Sequence, residues 1–371
     1  MKVLQILPEL HAGGVECSVL EIARHLVQQG HEALVVSHGG RLVAGLEAFG
    51  ARHIAMPVHR KRLSSVFQVA RLRRLLALER PDLLHLHSRV PGWIGWLAWR
   101  KLPPATRPRL VSTVHGFYSV NAYSAVMMRG ERVIAVSECI RNYIEQNFPR
   151  TPVAAIRVVR NGVNPADYPR GYQPGADWIA GWQRDYPQCV GKRLLLLPGR
   201  ITRLKGHPDF LRLIAALAAT DPQVHGLIVG DLHPRKRAYR KELERLTTRL
   251  GLAPHLTFLK HRADLREIMA VSALVYSLST QPESFGRTTL EALALGRPVV
   301  GYDHGGVGEL LGQLFPAGRV PLGNEAALAT VSRKLLADPV WPAPVPASLT
   351  LAVMLRHTLD VYHELLAAAR A

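Results

Sequence analysis

Short apolar runs alternate with helix-length amphipathic stretches along almost the whole chain. Residues 3–7 (Val-Leu-Gln-Ile-Leu) read as a strand and 8–14 as a loop. Residues 15–29 read as a helix, because Val19, Ile22, Ala23 and Leu26 recur with helical period. Gly30 stops that helix, and 31–37 form the next strand. The alternation continues. Residues 64–79 carry an apolar face of Val66, Val69, Leu72 and Leu76, and 81–87 are a strand. Trp93, Trp96 and Trp99 fall at helical spacing and read as a core helix. Strands follow at 109–115 and 133–137 and again from Ile156. Residues 165–191 are rich in Pro and Gly, show little periodicity and read as a linker with a surface excursion. A second series then begins at Arg193, with strands at 224–230, 256–261, 273–277 and 298–302. The tail, 348–371, is helical, with Leu351, Met354, Leu355, Leu359 and Tyr362 on one stripe behind the plausible N-cap Ser348. Strands alternating with helices predict α/β architecture with parallel sheets, and 371 residues suit two domains.

The second half is organised around residues 279–301, Ser-Thr-Gln-Pro-Glu-Ser-Phe-Gly-Arg-Thr-Thr-Leu-Glu-Ala-Leu-Ala-Leu-Gly-Arg-Pro-Val-Val-Gly. They read as a loop, a helix over 287–295 and a buried strand. Gly286 is permissive at the loop-to-helix junction, and Gly296 with Pro298 ends the helix. The first-turn amides near Thr288 and Thr289 lack intrahelical partners and favour an anion. Glu283 and Glu291 bracket this turn. Glu291 interrupts an apolar run and needs partners. Taken alone, these residues also describe an ordinary crossover with a solvated glutamate.

Other loops carry matching chemistry. Residues 199–206 bring Arg200, Arg203 and Lys205 to a strand end, where they would make a clamp for a diphosphate. Gly13 and Gly14 lie where the first strand–helix turn of a Rossmann-like domain brings backbone close to a ligand. The full Gly-x-Gly-x-x-Gly fingerprint is missing, which argues against a nicotinamide-dinucleotide oxidoreductase. His115 ends a strand, a position that lines the ligand crevice of open α/β sheets. His85 and His87 alternate onto one sheet face and would suit a metal pair. No third ligand is evident, so they read as structural and no metal is expected.

Charge adds a partner. Lys plus Arg number 47 against 28 acids, a net charge of +19, which implies an anionic partner. No nucleic-acid-binding signature accompanies it, and aromatic content of 6% is poor for base stacking. An anionic membrane surface or a phosphorylated glycan fits better than nucleic acid. Arg60, Lys61, Arg62, Arg71, Arg73 and Arg74 cluster on and before the 64–79 helix and suit lipid head groups. Three scattered Cys exclude a disulfide framework. No signal peptide and no membrane-spanning apolar run are visible, so a cytoplasmic protein, peripheral on the inner membrane, is expected.

Glu283 and Glu291, with Ser284-Phe285-Gly286 between them and Gly-Arg-Pro-Val-Val after, resemble the paired-glutamate signature of retaining glycosyltransferases of the GT-B type, closest to family 4. The resemblance runs from Gly13 to Gly306. It includes His-Ala-Gly-Gly-Val-Glu over 11–16, His115-Gly116, Asn161-Gly162-Val163-Asn164 and Gly199-Arg200…Lys205-Gly206. Glu138, Asn164 and Asp231 depart from the family pattern. The resemblance implies two Rossmann-like domains facing across a cleft: an acceptor-side domain over 1–165 and a donor-side domain over 166–345. A helix over 346–371 would cross back to the first.

It also implies transfer of a hexose from a nucleotide diphosphate sugar, a UDP-sugar in the first instance, with anomeric retention. Glu291 would hold the ribose, Glu283 and His115 the sugar, and Arg200 and Lys205 the leaving diphosphate. Gly13, Gly14, Gly230, His261, Ser284, Phe285, Gly286, Thr288 and Thr289 would line the donor site. No Asp-x-Asp triplet exists in the chain, so no metal or other cofactor is expected. The basic charge suggests a phosphorylated bacterial glycan acceptor such as lipopolysaccharide core. A non-catalytic basic glycan binder would explain the charge but not the paired glutamates.

Overall fold

The computed structural model describes residues 1–11, 13–60, 65–231 and 237–368. They divide into two compact units. Unit 1 is Met1–Asn161 with Leu351–Ala371, and unit 2 is Gly162–Thr350.

In unit 1 the described strands are β1 (Lys2–Ile6), β2 (Glu32–Ser37), β3 (Arg52–Ala55), β4 (Leu83–Leu86), β5 (Arg109–Val114), β6 (Arg132–Ala135) and β7 (Ile156–Val158). They form one sheet in the order β3-β2-β1-β4-β5-β6-β7, and all pairs are parallel. Helices α1 (Gly14–Gln28), α2 (Val43–Ala48), α3 (Ser65–Glu79), α4 (Arg89–Arg100) and α5 (Glu138–Asn147) alternate with the strands. Helices on both faces explain why the strands read as apolar runs rather than alternating ones.

Unit 2 opens with α6 (Ala176–Asp185). Its strands are β8 (Arg193–Pro198), β9 (Val224–Val229), β10 (Leu256–Leu259), β11 (Leu274–Ser277), β12 (Val299–Tyr302) and β13 (Arg319–Val320). Their order is β10-β9-β8-β11-β12-β13, again parallel throughout. The helices are α7 (His207–Ala218), α8 (Arg237–Arg249), α9 (Leu265–Val271), α10 (Arg287–Ala294), α11 (Gly305–Leu314) and α12 (Glu325–Ala337). Both units are therefore Rossmann-like.

The last helix, α13 (Leu351–Ala367), belongs to unit 1. Met354, Leu355, Leu359, Tyr362 and Leu365 join one core cluster with Val3 of β1 and Val19, Ile22 and Leu26 of α1. Glu364 adds a polar anchor. Its carboxylate accepts from Arg132 Nη2 at 2.6 Å and from Arg157 Nη2 at 2.5 Å. The units divide between Asn161 and Gly162 and between Thr350 and Leu351, a few residues from the expected 165 and 345. Val163 bridges to Thr350, and its N–H donates to Leu349 O at 3.0 Å, so both connecting segments are fastened within unit 2.

Two local expectations shift. The buried face of α4 is made by Pro91, Gly92, Ile94, Gly95 and Ala98, not by its tryptophans. A Cβ at Gly95 would meet Leu86 at 2.6 Å, so small residues let the helix sit close to β4. Trp93, Trp96 and Trp99 are half-buried at the helix flanks. Trp93 and Trp99 donate to backbone carbonyls, and Arg129 lies 4.1 Å over the Trp96 ring. On α3 the buried face is Val69, Leu72 and Leu76, whereas Val66, expected on it, is exposed; Arg71, Arg73 and Arg74 are exposed, as is Arg60 before the helix, and Lys61 and Arg62 lie outside the described residues.

Candidate active site

In an open parallel sheet the ligand crevice forms where the strand order reverses, because the flanking loops leave toward opposite faces. In unit 2 that point lies between β8 and β11. The loop after β8 is 199–206 and the loop after β11 is 278–286, so the two stretches singled out from sequence meet there.

They are fastened together. Thr280 N donates to Leu204 O at 2.9 Å. Gly206 adopts φ 67°, and a Cβ there would lie 2.0 Å from Leu278 O, so only glycine allows this approach. Across the junction Lys205 Nζ donates to Glu283 Oε1 at 2.7 Å. Ser279 Oγ donates to the same oxygen. Burial alone would raise the Glu283 carboxyl, but Lys205 and Ser279 outweigh it and hold it below its usual range. The site is therefore a poised ion pair in the described state, not a free cation beside a free carboxylate.

The loop before α11 backs Glu283. Gly306 N donates to Glu283 O at 2.7 Å, and the His304 Nε2–H donates to Ser279 O at 2.7 Å. A Cβ at Gly306 would lie 2.3 Å from Phe285 Cα, which explains the Gly305-Gly306 pair.

Arg200 follows Gly199 and is exposed at the same edge. Gly230 follows β9 so close to Gly199 that a Cβ would lie 2.0 Å from its carbonyl oxygen. Asp231 then joins three strand ends: its carbonyl accepts from Ile201 N at 3.0 Å and its carboxylate from His261 N at 3.3 Å. This gives Asp231 a structural role that the sequence left open. The basic turn after it lies outside the described residues. Arg203 does not join the clamp. It makes a two-pronged pair with Glu242 at 2.9 and 2.5 Å and lies 4.8 Å over the Tyr239 ring, so its charge is already satisfied.

Helix α10 starts at the site, with Gly286 as its left-handed N-cap at φ 95°. Ser284, Thr288 and Glu291 are half-buried. Phe285 and Thr289 are 4% and 1% exposed, so the Phe285 ring and the Thr289 side chain belong to the core. Thr289 was expected to serve through its first-turn amide, which its buried side chain leaves unaffected; Phe285 was expected to line the donor site, and its ring is turned into the core. Tyr168 neighbours Glu291: burial raises its phenol, and the Glu291 carboxylate raises it further. Sequence reasoning missed Tyr168 and His304, which folding brings to the glutamates, and the role of Ser279, which lies four residues before Glu283 in the same loop.

In unit 1 the order reverses between β1 and β4. Gly13 caps α1 at φ 154°, and Gly14 is its first residue. His87 follows β4 and His115 follows β5. His87 Nδ1 and His115 Nε2 are 3.0 Å apart, and His87 Nε2 is 3.0 Å from Gln5 Oε1. His85 bridges Tyr362 Oη and Thr113 Oγ1, each at 2.7 Å. Both rings are fully buried, and burial first, then neighbouring histidines, lowers their pKa, His85 to about 3. Among the described residues no group of three His, Cys, Asp or Glu is placed to hold a metal. A cavity of about 490 Å³ elsewhere in unit 1, between Asn121, Met128, Arg129, Phe148 and Arg150, includes none of the site residues assigned from sequence.

Two Rossmann-like sheets, each with a crevice at its switch point, define the GT-B fold, and the comparisons agree. Residues 12–167 match the description Glycosyltransferase Family 4, and residues 182–348 match Glycosyl transferases group 1. The chain is a GT-B glycosyltransferase built from these two family domains. It is similar to an uncharacterised glycosyltransferase of Methanocaldococcus jannaschii, 24% identical over 82% of this chain and 80% of the relative. A glycosyltransferase structure from Rickettsia africae superimposes with a TM-score of 0.81 at 25% identity, covering 98% of each chain. Anabaena HepE, solved in complex with UDP and glucose, matches in fold with a TM-score of 0.77 at 24% identity over 100% of this chain and 99% of that one. The chain spans about half the length (53%) of a D-inositol 3-phosphate glycosyltransferase of Streptomyces griseus that it matches at 29% identity over 61% of its own length.

Proposed function

We propose that this protein transfers a hexose from a UDP-sugar to a hydroxyl of an anionic glycan, with retention of anomeric configuration. The observation that carries the donor assignment is the Lys205–Glu283 pair, 2.7 Å long, at the unit 2 switch point beside the first turn of α10. The UDP and glucose held by Anabaena HepE support the choice of donor.

Arg200 and Lys205 neutralise the leaving diphosphate, where negative charge grows in the transition state, and the Thr288 and Thr289 amides add to this. Glu291 accepts from the ribose hydroxyls. Glu283 and His115 position the sugar. The chain supplies cationic side chains for the phosphates, so transfer proceeds without a metal. The acceptor we propose is a membrane-anchored phosphorylated glycan of lipopolysaccharide-core type, supported by the net charge of +19.

The enzyme works at an anionic membrane surface, and α3 is the docking element. Arg71, Arg73 and Arg74 are exposed beside Val66 and Phe67, themselves 69% and 76% exposed. Among the described residues no helix is long and apolar enough to cross a membrane. Replacing Arg60, Lys61, Arg62, Arg71, Arg73 and Arg74 by Gln should abolish co-sedimentation with anionic vesicles at low salt, at roughly 1 kcal/mol per residue. Sedimentation like wild type would remove α3 from this role.

The test of function is a nucleotide-sugar panel read by thermal stabilisation, followed by transfer to core glycans with the best donor and assignment of the product anomer. Stabilisation by UDP-sugars and a product of the donor's own configuration are expected. Stabilisation by none of the panel, or an inverted product, refutes the proposal.

A further inference from the structure

The histidine cluster of unit 1 does more than fill space, because its hydrogen bonds have only one consistent direction. Gln5 is fully buried in β1. Its amide nitrogen lies 3.3 Å from Val19 O, a carbonyl that can only accept, so the amide is oriented with Nε2 toward Val19. Gln5 Oε1 therefore faces His87 Nε2 at 3.0 Å, and an amide oxygen also only accepts. His87 must carry its proton on Nε2. It is fully buried with no acidic partner among its hydrogen bonds, and burial, then His85 and His115, keeps it neutral. Its Nδ1 then holds a lone pair, and the group 3.0 Å away, His115 Nε2, must be the donor. His115 in its neutral form is left with Nδ1 as its acceptor nitrogen.

We infer that Gln5 and His87 are positioning residues that hold His115 as its Nε2–H tautomer. The effect on turnover rests on the reading of His115 as a donor-sugar residue; the tautomer does not. The ring order is held from behind. The His85 ring lies against His87, tilted by 38° with 4.0 Å between centroids, and Tyr362 of α13 fixes His85. The C-terminal helix thus supports the sugar side of unit 1 through two neutral imidazoles.

The test uses the full chain labelled with 15N-histidine and long-range proton–nitrogen correlation spectra, which separate protonated from unprotonated ring nitrogens; His115 is assigned by its loss in His115→Ala. Wild type should show His115 protonated at Nε2 and unprotonated at Nδ1. Gln5→Met removes the acceptor that fixes His87. It should give His115 a mixture of tautomers and lower kcat about ten- to hundredfold, with KM for the UDP-sugar little changed. Thr113→Val removes a partner of His85 alone; it should lower Tm and leave the His115 tautomer as in wild type. Should Gln5→Met fail to fold, the wild-type spectrum decides by itself. A protonated Nδ1 in wild-type His115, or an unaltered His115 spectrum in folded Gln5→Met, overturns the inference. If the tautomer responds as stated but His115→Ala turns over normally, the positioning stands and the assignment of His115 to the sugar falls.

Discussion

The two switch points have the same topology and opposite electrostatics. In unit 1, strand β1 and the loops after β4 and β5 gather Gln5, His87 and His115, joined by neutral hydrogen bonds of 3.0 Å. In unit 2 the loops after β8 and β11 gather Arg200, Lys205 and Glu283, with an ion pair at 2.7 Å. A diphosphate carries charge and calls for mobile cations, whereas a hexose carries hydroxyls and calls for directed neutral donors and acceptors. Unit 1 keeps its strong ion pair at the far end of its strands, where Glu364 joins Arg132 and Arg157 and fastens α13. One crevice is tuned by direction and the other by charge.

The largest effect should come from removing charge where charge is used. Lys205→Ala should lower transfer by about two to three orders of magnitude in kcat/KM, because the lost contact strengthens as the diphosphate leaves. Steady-state transfer assays measure it, and a loss under threefold would mean that unit 2 is not the charged partner.

The paired glutamates sharpen the same contrast. Glu283→Gln should lower kcat, and Glu291→Gln should weaken nucleotide binding by about tenfold through an altered ribose acceptor. Identical kinetic signatures for the two variants would erase the distinction drawn between them.

In unit 1 the corresponding charge is structural. Glu364→Gln should reduce stability by about 1 kcal/mol, a figure discounted because the carboxylate is about a third exposed to screening solvent. Hydrogen bonds from Arg132, then Arg157, hold this carboxyl at about 2. Its folded value is below the unfolded one, so the contribution is present above about pH 4.3 and is lost as pH falls toward 2. Chemical denaturation of wild type and variant should therefore converge in acid. A difference that persists at pH 2 would place the effect elsewhere. The smallest effect concerns metal: a chelator should leave transfer unchanged, and full loss restored by magnesium or manganese would contradict the reliance on Arg200 and Lys205.

Much of the charged crevice was legible in the sequence because its residues are close in the chain. Glu283, Gly286 and Glu291 share one loop–helix unit, and Arg200 with Lys205 share one loop. Arg203 was misplaced, because its partner Glu242 arrives from α8 far along the chain and nothing local signals the pairing. Phe285 and Thr289 turn inward, since a helix start offers its amides to a ligand while its side chains pack by period. The neutral crevice was harder to see. His115 could be placed by its strand end, but Gln5 hides in an apolar strand. A lone amide there had to find buried partners, which was the available signal. The tryptophans of α4 misled for a related reason: size suggested core, whereas Gly92, Gly95 and Ala98 made the close contact.

The central claim is that Lys205 belongs to the diphosphate when donor is bound, although it is paired with Glu283 in the described state. Calorimetric titration of UDP into wild type, Lys205→Ala and Glu283→Gln tests this most directly. Loss of the lysine should weaken UDP by about 1.5–3 kcal/mol, the range for a charge-assisted contact. Glu283→Gln removes the competing carboxylate and should leave UDP affinity unchanged or tighter. Wild-type affinity in Lys205→Ala, or weakened UDP binding in Glu283→Gln to the same degree as in Lys205→Ala, would contradict the account.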